Sequence, residues 1–151
     1  MAKQSQLSHA EFQRLLVFRT GIRRFLKWSE DQAIAAGLTA SQHQLLLAVR
    51  GHPDRKGPTI TDLRNSLLVT HHGVVGLVDR AVAAGLVVRH TDQSDRRAVR
   101  VELTDLGTEK LTALSLEHRE ELRRISWTFA QIADDITDEI NVVSSAAVRS
   151  G

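Results

Sequence analysis

Apolar positions in the first quarter of the chain fall at Phe12, Leu15, Leu16, Ile22, Phe25, Leu26 and Ile34. Steps of three and four put them on one side of a helix. Ser8-His9-Ala10-Glu11 has the spacing of a capping box at its start, and Gly37 stands where a helix stops, so a long helix over 8–36 is expected. Thr39-Ala40-Ser41-Gln42 repeats the signature ahead of Leu45, Leu46, Leu47 and Val49, a second helix closing at Gly51. A loop with both prolines, Pro53 and Pro58, follows. Residues 58–61 suit one short strand, and Thr61 suits the cap of a short third helix, Asp62 to about Leu67.

The pattern then changes twice within 35 residues. Thr70 can cap a helix running to about Ala84 and stopping at Gly85, with Val74, Leu77, Val78 and Ala81 on one face. Leu86 to Thr91 is rich in β-branched residues, and Ala98 to Leu103 alternates with period two. Between them lies the polar turn Asp92-Gln93-Ser94-Asp95-Arg96-Arg97, so the pair reads as a β-hairpin with a charged tip. From Thr104 an apolar stripe runs through Leu111, Leu114, His118, Leu122, Ile125 and Phe129, and on through Ile132, Ile136, Ile140, Val143 and Ala147. Thr128-x-x-Gln131 resembles a further capping box, so two helices with a bend near Trp127–Thr128 are expected. Such a stripe needs the first helix, a partner subunit or both to cover it.

Two short helices followed by a hairpin make a helix-turn-helix with a wing, a layout suited to duplex DNA. The major groove admits one α-helix, and the N-terminal half of the Thr70–Ala84 helix offers His71, His72 and Val75. Thr70 and the N–H groups behind it suit a phosphate. Gly73 and Gly76 cost helix stability, about 1 kcal/mol each relative to Ala. They leave room either for a DNA backbone or for close packing on a neighbouring helix. Arg80 lies on the same exposed part of the cylinder. Arg96 and Arg97 at the wing tip suit the negative potential of a narrow minor groove, or pair with Asp92 or Asp95, or divide the two tasks.

Charge sharpens this picture. Residues 1–58 hold nine Lys or Arg against four Asp or Glu, residues 59–103 six against five, and residues 104–151 five against nine. The acidic end is a poor partner for a polyanion. A hydrophobic fraction of 42% suffices for a core in a chain of one domain or two small, closely packed halves. The chain has no cysteine, which excludes disulfides, thiol catalysis and Cys-type zinc sites. No apolar run suggests a signal peptide or a membrane span, so a soluble cytoplasmic protein is expected.

Four spacings together resemble the MarR family of winged-helix transcription regulators: Leu77-Val78-Asp79-Arg80, Gly85-Leu86-Val87, Asp92-x-x-Asp95-Arg96-Arg97 and Val101-x-Leu103-Thr104-x-x-Gly107. The resemblance implies a mainly α fold with a small β-hairpin. It divides the chain into an N-terminal dimerisation helix (1–36), a winged helix-turn-helix DNA-binding domain (37–104) and C-terminal dimerisation helices (105–151). It implies a homodimer on a pseudo-palindromic operator, with a repressor's role. Release of DNA would follow when a small, phenolic or aromatic effector enters a cleft between the dimerisation and DNA-binding parts. On the wing it pairs Asp95 with Arg97 and places a tip arginine in the minor groove. DNA contacts are expected from Thr70, His71, His72, Gly73, Val75, Gly76, Arg80, Arg96 and Arg97, with Asp95 structuring the wing.

The sequence departs from the family where members often carry Ser, Thr or Arg, at His72, Gly73, Val75 and Gly76. Its recognition helix is less polar, and Ala81 with Val82-Ala83-Ala84 makes the helix end unusually apolar. The lack of cysteine removes the family's peroxide-sensing branch. Phe18, Phe25, Trp28 and His43, with Trp127, are the aromatic or polar candidates for an effector cleft, each with core or interface packing as the simpler role. Aromatics make up 4% of the chain, so a pocket has few stacking groups. No catalytic motif or phosphate-binding glycine loop is present, so no enzyme and no cofactor are expected. Two alternatives stand beside the DNA regulator. One is a protein-interaction or RNA-binding winged helix without ligand control. The other is a metal-responsive regulator built on histidines such as His118 with Glu121, although His118 also suits an interface stripe.

Overall fold

A computed structural model describes the backbone of residues 7–148 and the side chains of residues 7–134. The chain forms α1 (His9–Ala35), α2 (Ala40–Arg50), α3 (Ile60–Leu67), α4 (His71–Ala83), β1 (Val87–Thr91), β2 (Val99–Leu103) and α5 (Asp105–Val148). Two compact units result. One comprises the chain up to Trp28 and from His118 onward, the other Ser29–Glu117, so α1 and α5 each contribute to both.

Helix starts follow the capping chemistry. At α1 the Glu11 N–H donates to the Ser8 hydroxyl at 3.2 Å and Glu11 accepts the Ser8 N–H. Thr39 and Gln42 complete the reciprocal box at α2. The third helix begins earlier than expected. Thr59, not Thr61, is its cap, and Asp62 accepts the Thr59 N–H at 2.9 Å in return. That box draws residues 60 and 61 into the helix, leaving only one bridge, Thr59 to Arg100, where a short strand over 58–61 was expected. Thr70 caps α4 by accepting the Gly73 N–H at 3.1 Å. Gly85, at φ +71°, adopts the left-handed turn that releases the chain into β1.

The C-terminal segment is a correction. Instead of two helices bending near Trp127–Thr128, α5 is one helix of 44 residues. Thr128 and Gln131 lie inside it, and with no proline in the segment nothing obliges a break. Ile136, Ile140, Val143 and Ala147, the expected end of the stripe, lie outside the described side chains.

In the second unit a single core joins α2, α3, α4, the hairpin and the inner turns of α1 and α5. Leu45, Leu46, Leu63, Val74, Val78 and Val101 are at its centre, each fully enclosed. The face of α4 expected to be apolar is the buried one: Val74, Leu77, Val78 and Ala81. The first turn of α5 is fixed against Leu86. The Thr104 hydroxyl donates to the Gly85 carbonyl at 2.6 Å and accepts the Gly107 N–H at 3.0 Å. A Cβ on Gly107 would stand 2.1 Å from the Leu86 carbonyl oxygen, so only glycine fits.

In the first unit α1 and α5 meet through aromatic rings. Phe18 packs edge-on against Phe129 with centroids 5.3 Å apart, and a Cβ on Gly21 would meet the Phe129 ring at 2.9 Å. Phe25 and Trp28 enclose His118, the Trp28 and His118 rings lying 4.9 Å apart. Many apolar side chains on these helices remain exposed, among them Phe12, Leu16, Leu26, Leu122 and Trp127.

Candidate nucleic-acid interface

The sheet is a two-stranded antiparallel hairpin in the register Val87↔Leu103, Arg89↔Val101 and Thr91↔Val99. Side chains alternate across it. Arg89 projects to α4, where Nη1 meets Asp79 Oδ1 at 2.6 Å and Nη2 donates to the Val75 carbonyl at 3.4 Å. His90, Asp92, Arg100 and Glu102 share the other face, with His90 Nδ1 3.8 Å from Glu102.

The turn of the wing is built on Asp92, which is buried. One of its oxygens accepts the Ser94 N–H at 2.7 Å, the Ser94 hydroxyl and the Asp95 N–H. The other accepts Arg100 Nε. The Ser94 hydroxyl foremost, and then the Arg100 guanidinium, hold the Asp92 carboxyl well below the usual carboxylate range; the same pair raises Arg100. Arg100 continues outward, with Nη1 donating to the Gly57 carbonyl at 2.6 Å and to Asp54 Oδ2 at 3.1 Å. Neither Asp92 as organiser nor Arg100 as its partner is among the residues expected from sequence. The alternation of β2 and the separation of eight positions between them, one across a hairpin from the other, were the available signal.

Asp95 has a smaller part. Its Oδ1 accepts the backbone N–H of Arg97 at 3.0 Å, so Asp95 and Arg97 are paired through the main chain and the guanidinium is left outside. Arg96 and Arg97 are exposed, and neither guanidinium forms an ion pair among the described residues. The hairpin therefore separates its arginines. Arg89 and Arg100 are neutralised and brace the fold, whereas Arg96 and Arg97 remain uncommitted at the tip.

On α4, His71, His72 and Gly73 are exposed, and Val75 and Gly76 are half-buried. The Thr70 hydroxyl oxygen accepts the capping bond, which leaves its O–H free to donate outward. Close helix packing does not account for the two glycines. A Cβ on Gly73 would meet only Thr70 and Val69, at 3.1 and 3.7 Å, and one on Gly76 only the flexible end of Arg80, at 3.3 Å. Arg80 thus lies back along the helix over Gly76. The turn between α3 and α4 opens on Leu68, a left-handed residue at φ 55° that is almost wholly in solvent.

The candidate effector residues divide. Phe25 and Trp28 line a cavity of about 590 Å³ within the first unit, with Leu16, Gly21, Arg24, Ile125 and Phe129 among its other walls. Phe18 packs on Phe129 and does not line it. His43 belongs to the second unit, where it is buried on α2, and Trp127 is exposed. His118, one of the histidines considered for metal, lies in the aromatic cluster, tilted against Trp28 and edge-on to Phe25. The described residues contain no group of three or more His, Cys, Asp or Glu able to hold a metal ion. Among them, no helix is long and apolar enough to cross a membrane.

Two tied helices and a braced hairpin define a winged helix-turn-helix. Residues 36–98 match the model of the MarR family. The fold is shared with solved MarR-type structures over nearly the whole chain. AbsC, a MarR family transcriptional regulator from Streptomyces coelicolor, is 20% identical over 98% of this chain and 100% of its own, with a TM-score of 0.69. MepR of S. aureus, solved in complex with DNA, is 17% identical over 97% of this chain and 100% of its own, at 0.65. CouR from Rhodococcus jostii RHA1, bound to p-coumaroyl-CoA, is 22% identical over 87% of this chain and 88% of its own, at 0.65. No curated protein matches the chain by sequence. The resemblance to the MarR family thus holds in sequence over residues 36–98, up to the second strand of the wing, and in fold over nearly all of the chain.

Proposed function

We propose that the chain is a sequence-specific, non-enzymatic transcription regulator that binds duplex DNA as a homodimer. The observation that carries this reading is the separation of arginines on the hairpin: those inside are neutralised, those at the tip are free and held on a pinned turn. Neutralising phosphates, or entering a narrow minor groove, favours cations with no internal partner. In this reading Arg96 and Arg97 enter the minor groove and α4 enters the major groove through His71, His72 and Val75. Gly73 and Gly76 admit the DNA backbone, Thr70 donates to a phosphate, and Arg80 swings outward from Gly76. Residues 37–104 bind DNA, and residues 1–36 and 105–151 dimerise, covering the exposed apolar side chains of α1 and α5. The MepR complex with DNA supports the partner, since the winged helix also serves other uses. Genomic footprinting tests it. Protection of paired half-sites about one helical turn apart, ~10 bp, is expected, and a chain that protects no duplex contradicts it.

A second element of the reading is repression relieved by a small aromatic or phenolic acid. The apolar cavity beside Phe25 and Trp28 supports it, with Arg24 at its wall as a partner for a carboxylate. CouR, solved with p-coumaroyl-CoA, is a relative in fold that holds an aromatic acyl ligand. Titration with a phenolic carboxylate should quench Trp28 and weaken DNA binding together. An unchanged Trp spectrum and gel shift would count against effector control.

A further inference from the structure

The loop between α2 and α3, Gly51 to Pro58, is tied by several hydrogen bonds of its own and to β2. His52 Nδ1 accepts the Asp54 N–H at 3.2 Å, Asp54 Oδ1 accepts the Lys56 N–H at 3.0 Å, and the Asp54 carbonyl accepts the Gly57 N–H at 3.0 Å. Gly57 is left-handed, at φ +85°, and lies so near β2 that a Cβ would stand 2.5 Å from the Val101 carbonyl oxygen. The Val101 N–H donates to the Pro58 carbonyl at 3.0 Å, which joins the loop to the free edge of β2. Arg100 closes the arrangement by holding Asp54 and the Gly57 carbonyl with one end of its guanidinium and Asp92 with the other. One neutralised arginine thus fixes the loop and the wing turn in a single frame.

This frame displays two further cations. Arg55 and Lys56 are exposed, and neither side chain forms an ion pair or hydrogen bond among the described residues. Lys56 borders a recess shared with Gln93 and Ser94 of the wing turn. The neighbouring carboxylates have other hydrogen-bond partners: Asp54 is committed to the Lys56 N–H and Arg100, and Asp62 to Thr59, so that Lys56 and Asp54 attract each other only through space. A free surface lysine is ordinarily unremarkable, because a mobile loop loses entropy on binding. Here the backbone is already ordered, so contact orders little beyond the two side chains.

We propose that Arg55 and Lys56 form a second phosphate-binding element, gripping the DNA backbone beside the wing that Arg96 and Arg97 insert. The proposal rests on the reading of the chain as a duplex-DNA binder. Because they bind phosphate, these two residues add affinity without sequence preference and steepen the dependence on salt.

The test is fluorescence anisotropy of the full chain on a labelled duplex of mixed sequence across a salt series. Arg55→Ala with Lys56→Ala should melt like the parent, because both side chains are exposed and unpartnered. Its plot of log affinity against log salt should be shallower by roughly two per bound protomer, about 0.9 for each phosphate no longer neutralised. Arg119→Ala with Arg123→Ala, on the exposed surface of α5, removes the same charge; it should elute from gel filtration as the parent does and keep the parent slope. An unchanged slope in the first variant, or an equal loss in the second, overturns the proposal while the DNA reading stands. A parent chain that binds no duplex sinks that reading and this proposal with it.

Discussion

Arg89 on β1 grips Asp79 on α4 with Nη1 and Oδ1 2.6 Å apart, and so fixes the angle between the wing and the helix proposed to enter the major groove. Both side chains keep solvent contact, so the pair contributes little to stability, about 0.2–1 kcal/mol. Its effect on binding should be larger, since loosening it uncouples two DNA contacts. Arg89→Ala and Asp79→Ala should each weaken duplex binding by roughly tenfold, about 1.4 kcal/mol. The double variant should lose no more than either alone. Losses that add in a double-mutant cycle would show that the pair does not act as a unit.

Gly76→Ala separates the interests of the fold from those of binding. The new methyl meets only the flexible end of Arg80, so the helix should gain about 1 kcal/mol of stability. If the DNA backbone approaches at this position, affinity for duplex falls while the melting temperature rises. A variant that is stabilised and binds as well as the parent would remove Gly76 from the interface.

Asp92 gives the wing a defined response to acid. Its carboxyl titrates below the ordinary aspartate value because Ser94 and Arg100 favour the ionised form. A depressed folded pKa means stabilisation that is fully present above the unfolded value, about 3.9, and lost as pH falls towards the folded one. Urea unfolding of the parent and of Asp92→Asn should differ by a constant amount from neutral pH down to about pH 5. That difference should narrow progressively below about pH 4. A gap that widens in acid would contradict the assigned role.

The elements were legible where local chemistry decides them. Ser8, Thr39 and Thr70 cap helices as their spacing predicts, and Val74, Leu77, Val78 and Ala81 form the buried stripe that their period requires. The Leu103-Thr104-x-x-Gly107 spacing has a steric origin in the Leu86 carbonyl oxygen, which leaves no space for a Cβ at Gly107. What escaped the sequence depends on contacts between distant segments. Thr59 outcompetes Thr61 as a cap because Asp62 reciprocates. Arg100 reads as one polar residue of an alternating strand, and only folding brings Asp54, forty-six positions away, to it. The capping signature at Thr128 misled because a Thr and a Gln three apart also fit a helix interior.

The two arginines of the wing tip carry the central claim, and a salt series tests them most directly. Arg96→Ala with Arg97→Ala should leave the melting temperature unchanged, since neither guanidinium braces the fold. Duplex affinity should fall, and the slope of log affinity against log salt should flatten by roughly two per bound protomer. Affinity and slope equal to those of the parent chain would contradict the claim.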